Sequence, residues 1–212
     1  MIKIPQKKSV EDKQKKMVMI IDAAETVFFS KGFKKTSMDD VAKEADVAKG
    51  TLYLYFKSKR DLYYAIGLRA LKTMVNMFEE SIKKCSNGRD KVIEIGRAFA
   101  RYYKKYPDYY SFVVAYQTEK VMLSKSNPNV GEALRESRKL FELVVNSVRE
   151  GMEDDSISVK MDPVKLSAVL WCQTSGVVQL AGLKENFFQV FSSLTSDEII
   201  QAHIEQTERK LK

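Results

Sequence analysis

Apolar residues recur along this chain at three- and four-residue steps far more than they alternate, the spacing of helices buried on one face. A clear short example is Met38, Val41, Ala42 and Ala45, which line one side of a two-turn helix. Val47 and Leu52 resume the apolar pattern beyond Asp46, one of the few non-glycine residue types that tolerates a left-handed turn. Helix starts are legible from their capping chemistry. Ser37 with Asp40, Ser58 with Asp61, Asn87 with Asp90 and Thr195 with Glu198 each place a short acceptor three residues before an acid. Asn127-Pro128 and Asp162-Pro163 set a capping residue before a proline at the first helical position. Only four Pro and nine Gly interrupt the 212 residues. The pattern predicts an all-α chain of about nine helices, near residues 10–31, 38–45, 49–55, 59–85, 89–105, 107–117, 128–152, 163–184 and 196–211. The length suits one small and one medium domain. The expected division is a three-helix head over residues 1–60, including a basic N-terminal arm over 1–9, and a helical body over 61–212.

Residues Thr36 to Phe56 carry the most specific pattern, two short helices around a tight turn followed by an aromatic, basic segment. That is the outline of a helix-turn-helix, which sets its second helix in the major groove of DNA. Lys49, Gly50, Thr51, Tyr53 and Tyr55 are left facing outward once Val47 and Leu52 turn in. On spacing alone, a solvated surface helix in an ordinary bundle fits equally well. The run KGFKKTSMDDVAKEADVAKGTLYLYFKSKRDL, however, closely resembles the N-terminal DNA-binding domain of TetR-type transcriptional repressors. The resemblance covers roughly Val18 to Leu68. It rests on Ala23-Ala24, Phe28, Gly32-Phe33, Thr36, Val41-Ala42, Val47, Lys49 to Tyr53, Tyr55-Phe56 and Lys59. It implies that residues 49–55 form the recognition helix and that Tyr53 and Lys59 meet phosphates. The DNA-binding set expected from pattern and resemblance together is Thr36, Ser37, Lys49, Gly50, Thr51, Tyr53, Tyr55, Lys57 and Lys59. Three positions depart from the family pattern: Asp46 at the turn, Ala48 where a Ser commonly caps the helix, and Leu54.

Charge changes the picture in the same direction. The chain is +8 overall, and residues 1–60 hold 14 Lys/Arg against 8 Asp/Glu while residues 61–212 hold 22 against 20. A basic head on a nearly neutral body suits a phosphate-binding module. The first 16 residues carry six Lys, readable either as an arm adding salt-sensitive affinity or as a solubilising tail. No apolar segment follows these lysines before Met17, so a targeting peptide is not expected and a cytoplasmic location is.

Leu166 to Leu183 contains no charged residue and is long enough to cross a bilayer, but Ser167, Gln173, Thr174, Ser175 and Gln179 break its apolarity. A helix buried on two sides explains it better than a membrane span. TetR-type repressors dimerise through their last two long helices, and the resemblance places the seam here. Leu170, Thr174 and Val178 from this segment would meet Ile200, His203, Ile204 and Thr207 from the last helix. Two heads held by a homodimer could then read a palindromic operator on double-stranded DNA, with half-sites about 34–36 Å apart.

Between head and seam, aromatics concentrate from Phe99 to Tyr116. A stripe at helical spacing is ordinary core, yet so many hydroxyls in an apolar setting also compose a ligand pocket. The expected pocket residues are Phe99, Tyr103, Tyr106 and Tyr110, with Met74 and Phe78 from the long fourth helix and Trp171 and Gln173 from the uncharged one. They suit a small, largely apolar or aromatic effector that releases the operator. Catalysis finds little footing. His203 is the single histidine, Cys85 and Cys172 lack metal-ligand spacing, and no phosphate-cradling glycine loop or nucleophile elbow occurs. No metal, cofactor or enzymatic activity is expected, and Cys172 reads as a small core residue. Two alternatives stay open: a DNA-binding regulator without a small-molecule effector, and an all-α enzyme or carrier.

Overall fold

The computed structural model describes residues 7–118 and 127–212, with side chains from Glu11 to Val114 and from Asn127 onward. Residues 1–6 of the expected arm and the side chain of Tyr116 lie outside the described residues. The described chain is all-helical. Its elements are α1 (Lys7–Lys31), α2 (Met38–Glu44), α3 (Lys49–Tyr55), α4 (Lys59–Ile82), α5 (Gly88–Lys105), α6 (Pro107–Thr118), α7 (Pro128–Glu153), α8 (Pro163–Leu183), α9 (Glu185–Ser192) and α10 (Ser196–Lys210).

The capping chemistry acts where the sequence places it. Ser37 Oγ accepts from the Asp40 N–H at 3.1 Å while Asp40 Oδ2 accepts from the Ser37 N–H at 2.8 Å, a complete capping box. Thr195 and Glu198 repeat it at the start of α10. Asn87 and Asp162 each accept from the N–H three residues on, at 2.8 and 2.9 Å. Two differences from expectation are structural. Helix α1 already begins at Lys7, inside the expected arm. Helix α9 is additional: it follows α8 through the single residue Lys184, carries no side-chain cap and is only eight residues long. Neither a cap nor a glycine or proline marks its boundary, so nothing in the local sequence announces it.

The chain divides into two compact units. The first comprises Met1–Ala70 with Phe112–Ala133, the second Leu71–Ser111 with Leu134–Lys212. In the first, α1, α2, α3 and the start of α4 bury Ile20, Ala24, Phe28, Val41, Leu52, Leu62 and Ile66. Phe112 joins this unit by its ring contacts, 6.1 Å from Phe29 and 4.3 Å from Tyr63 between centroids. Arg69 ties α4 back to α1, 3.1 Å from Glu25 and 2.5 Å from Asp22.

In the second unit, α5, α8 and α10 pack on one another. The first turn of α5 is held against the end of α7 by direct backbone approach. A Cβ on Gly88 would stand 2.0 Å from the Gly151 nitrogen, so only a residue with no side chain fits. The Gly88 N–H donates to Asp154 Oδ2 at 2.8 Å and the Arg89 N–H to Ser156 Oγ at 3.0 Å, satisfying N–H groups the helix leaves unpaired. Helix α8 buries Leu166, Ser167, Leu170, Val178 and Ala181. Its opposite side, with Ala168, Val169, Cys172 and Leu180, is exposed in the single chain, so only one of the two expected burials occurs within it. Cys172 is therefore a surface thiol and not the core residue its size suggested.

Candidate functional site

The first unit builds its outward surface on a rigid corner. Helix α1 ends at Gly32, whose φ of 76° only glycine adopts freely and whose N–H donates to the Phe28 carbonyl at 2.9 Å. The following loop is locked from both sides. Thr36 is 3% exposed and its hydroxyl donates to the Gly32 carbonyl at 3.0 Å. Lys59, at the start of α4, donates to the carbonyls of Phe33 at 2.8 Å and Thr36 at 2.7 Å, and its ammonium stands 4.5 Å from the centre of the Phe33 ring. Thr36 and Lys59, expected on the DNA face, are thus committed inward. Their reach lets them close carbonyls that the chain reversal between α1 and α2 leaves without backbone partners.

Helix α2 presents Ser37 and Asp39 on the exposed side. Lys31, 2.8 Å from Asp40, together with Ser37, holds the Asp40 carboxyl well below the usual carboxylate range, so the capping box stays charged. The turn contains Asp46 at φ 48°, the left-handed conformation its residue type permits. Ala48 occupies the N-cap of α3 and makes no side-chain capping bond. Helix α3 buries only Leu52, and Phe56 closes the core just beyond it. Lys49, Gly50, Tyr53 and Leu54, spaced i, i+1, i+4 and i+5, form its outward arc, flanked by half-exposed Thr51 and Tyr55 and by exposed Lys57. Lys49 Nζ lies 2.7 Å from Asp39 Oδ1, an ion pair that raises the lysine pKa. Nothing stands within 4 Å of the space a Gly50 side chain would fill. The structure brings Ser37, Lys49, Gly50, Tyr53 and Lys57 to exposed positions; it leaves Thr51 and Tyr55 at the margin.

The second unit contains a partly open cavity of about 40 Å³. Phe78, Ile95, Phe99, Val144, Leu170 and Trp171 supply its apolar wall, and Thr174, Ser175, His203 and Thr207 its polar groups. Trp171 stands 5.9 Å from Phe99 and 6.4 Å from Phe78 between ring centroids. His203 Nε2 and Thr174 Oγ1 are 3.1 Å apart, and burial followed by nearby Lys210 lowers the imidazole pKa, keeping it neutral at pH 7. Of the expected pocket residues, Phe78, Phe99 and Trp171 line this cavity. Met74 is buried elsewhere in the core, and Gln173 faces out. Tyr103 and Tyr110 pair edge to face at 4.9 Å behind the cavity wall, where Tyr110 meets Phe99 at 5.8 Å, and Tyr106 stacks on Tyr109 at 5.8 Å; none of these tyrosines lines the cavity. The Tyr103 hydroxyl occupies the place a Gly182 side chain would take.

The residues assigned to a dimer seam change place. Leu170, Val178, Ile200 and Ile204 are buried within one chain, where α8 and α10 pack together. Thr174, His203 and Thr207 line the cavity. The apolar periodicity that suggested a seam was instead satisfied intramolecularly. The residues left outward are Val169, Cys172, Leu180 and Leu183 on α8, with Phe187, Val190 and Phe191 on α9. Val190 and Phe191 are 77% and 74% exposed. A groove lined by Cys172, Gln173, Gly176, Val177, Leu180, Ala181, Phe188 and Ile199 runs along this surface. Its sequence signal was the aromatic run between Lys184 and Thr195.

A capped helix, a left-handed corner and a short outward helix bearing lysine, tyrosine and bare backbone define a helix-turn-helix regulator of transcription. Residues 20–66 match the family described as bacterial regulatory proteins, tetR family, so the first unit carries a DNA-binding domain similar to those of TetR-type regulators. It is 25% identical over 154 residues to the fatty acid metabolism regulator protein of Bacillus subtilis, a match covering 72% of this chain and 76% of that one. Over 65 residues it is 42% identical to the uncharacterized HTH-type transcriptional regulator YhgD of the same organism, covering 31% of this chain and 34% of that protein. Its fold is that of the Bacillus subtilis transcriptional regulator FadR solved in complex with stearoyl-CoA, with a TM-score of 0.67 at 17% identity over 92% of this chain and 99% of that one. The relatives are regulators of transcription.

Proposed function

We propose that this chain is a dimeric, cytoplasmic repressor that leaves a palindromic operator when a largely apolar effector enters the second unit. The observation that carries the DNA reading is the outward arc of α3, where Lys49, Gly50, Tyr53 and Leu54 stand clear of a buried Leu52. Ser37, Lys49, Thr51, Tyr53, Tyr55 and Lys57 contact DNA; Thr36 and Lys59 hold the corner behind them. Lysines and backbone N–H groups fix the register on phosphates, and α3 reads base edges. The domain division in this reading follows function, residues 1–60 for DNA and 61–212 for effector and partner.

The dimer forms through the outward face of α8 and α9. Ala168, Cys172 and Gly176 are small and recur every four residues, which lets a second helix approach closely, and Leu180, Leu183 and Phe187 extend the apolar strip. A second copy removes this strip from water. The effector site is the cavity at Phe78, Phe99 and Trp171. Its 40 Å³ holds about one or two waters, far below the several hundred Å³ of a ligand site. Effector binding therefore selects a widened state of the second unit, and DNA must weaken effector binding by the same factor that effector weakens DNA binding. A fatty acyl chain suits the lining, a reading supported by the fatty-acid regulator among the relatives and the stearoyl-CoA bound by the structural neighbour.

Selection of bound fragments from a randomised duplex pool at physiological salt tests the DNA reading. A palindrome with half-sites one helical turn or a multiple apart is expected; equal affinity for scrambled duplex at matched salt sinks it. The effector arm is read separately, because Trp171 is the single tryptophan and lines the cavity. Titrated acyl-CoA should change its emission and release the operator over the same concentration range. A change of emission with no release refutes the allosteric part.

A further inference from the structure

Leu54 is 82% exposed, the most exposed large apolar residue of the chain's described surface. It sits on the outward arc of α3 beside Tyr53 and one turn after Gly50. A helical side chain leans back over the turn that precedes it, so the isobutyl group of Leu54 lies toward Gly50. That position is open, with no atom within 4 Å of where a Cβ would be. Leu54 thus adds an apolar group, beside the bare backbone of Gly50, to the surface that carries the helix's lysine and tyrosine. The isobutyl group cannot donate, accept or carry charge, so it gains nothing from phosphate. In the major groove the one apolar group on a base edge is the C5-methyl of thymine.

We propose that Leu54 reads a thymine methyl in each operator half-site, with Gly50 giving that methyl room. The proposal rests on the operator reading above and assigns one base of its sequence. Leu54 thereby discriminates an A·T pair from G·C at that step without a hydrogen bond, while Lys49 on the same arc is paired with Asp39 at 2.7 Å.

The test uses the full-length protein and the palindrome selected from the randomised pool. Each thymine is replaced by deoxyuridine, symmetrically in both half-sites, which removes the methyl and leaves every hydrogen-bonding group in place. At one position the wild-type protein should lose about four-fold per methyl, about 15-fold for the pair. Leu54→Ala should bind the thymine and deoxyuridine duplexes equally, while Leu54→Met should keep the preference. The exposure of Leu54 leaves folding of the variants intact, and the wild-type scan stands without them. No position sensitive to deoxyuridine, or a sensitive position that Leu54→Ala leaves equally sensitive, overturns the proposal. A pool that enriches no sequence fails at the earlier step and takes down the operator reading itself.

Discussion

Replacing Lys59 with methionine removes an ammonium group and keeps an unbranched apolar stem of similar length. The ammonium donates to two loop carbonyls, those of Phe33 at 2.8 Å and Thr36 at 2.7 Å, and stands over the Phe33 ring. Charge-assisted bonds of this kind contribute about 1.5–3 kcal/mol each when dry, and the ring contact about 0.5–1. Lys59 is only half-buried, so water replaces part of what is lost, and about 2 kcal/mol of destabilisation is expected. With a urea dependence of about 2 kcal/mol per molar, the midpoint of the head's unfolding should fall by about 1 M. Circular dichroism in urea, with amide exchange of residues 32–37, measures it; Trp171 lies in the other unit and does not report on the head. The salt dependence of operator affinity supplies the counter-measurement. A lysine on a phosphate contributes about 0.9 to the slope of log affinity against log salt. Lys59→Met should leave that slope unchanged. Each operator-bound dimer carries two copies of Lys59, so a slope reduced by about 1.8 with unaltered stability would refute the inward assignment and return Lys59 to the DNA face.

Gly88→Ala should destabilise the second unit by about 3 kcal/mol, because its Cβ meets the Gly151 backbone, which cannot rotate away; calorimetry measures the loss. The His203 pKa is lowered from 6.5 by burial, so the unfolded chain binds a proton before the folded one does and stability falls as pH drops below about 6.5. His203→Gln should flatten this part of the thermal-midpoint profile, and a profile identical to wild type between pH 7 and 5 argues against it. Leu180→Glu combined with Phe187→Glu should halve the mass in sedimentation and abolish tight operator binding; an unchanged dimer would place the interface elsewhere.

The head was legible because its signals are local. Capping boxes, the αL-tolerant Asp46 and the small Ala42 each act within a few residues, and all take the positions their chemistry requires. What escaped was where long side chains go. Lys59 looks like any exposed lysine in sequence, yet its partners lie 23 and 26 residues away. The second unit was harder for the same reason. Its helices follow from periodicity, but the period of Leu170, Thr174 and Val178 says only that one face is covered, not whether by α10 of the same chain or by a second copy. The aromatic stretch from Phe99 to Tyr116 marked the pocket by composition, and Phe99 with Trp171, 72 residues apart in sequence, does line it, but composition could not say that Tyr103, Tyr106 and Tyr110 stay out of the lining.

Helix α8 has consequences for how this regulator can change over generations. One side of it packs in the core, another carries Leu170, Trp171 and Thr174 into the cavity, and the third presents the apolar strip proposed to bind a second copy. Most positions along it answer to one of these three requirements, so substitutions there tend to be purged whatever they do for ligand preference. Helix α5 is differently placed: Ile95, Gly96 and Phe99 face the cavity while Glu94, Arg97 and Arg101 pair at its polar side. A library of single substitutions scored for operator binding should find α8 the least tolerant helix of the second unit. New effector preferences should emerge first from the cavity-facing positions of α5, which pack in the core but carry no part of the proposed strip.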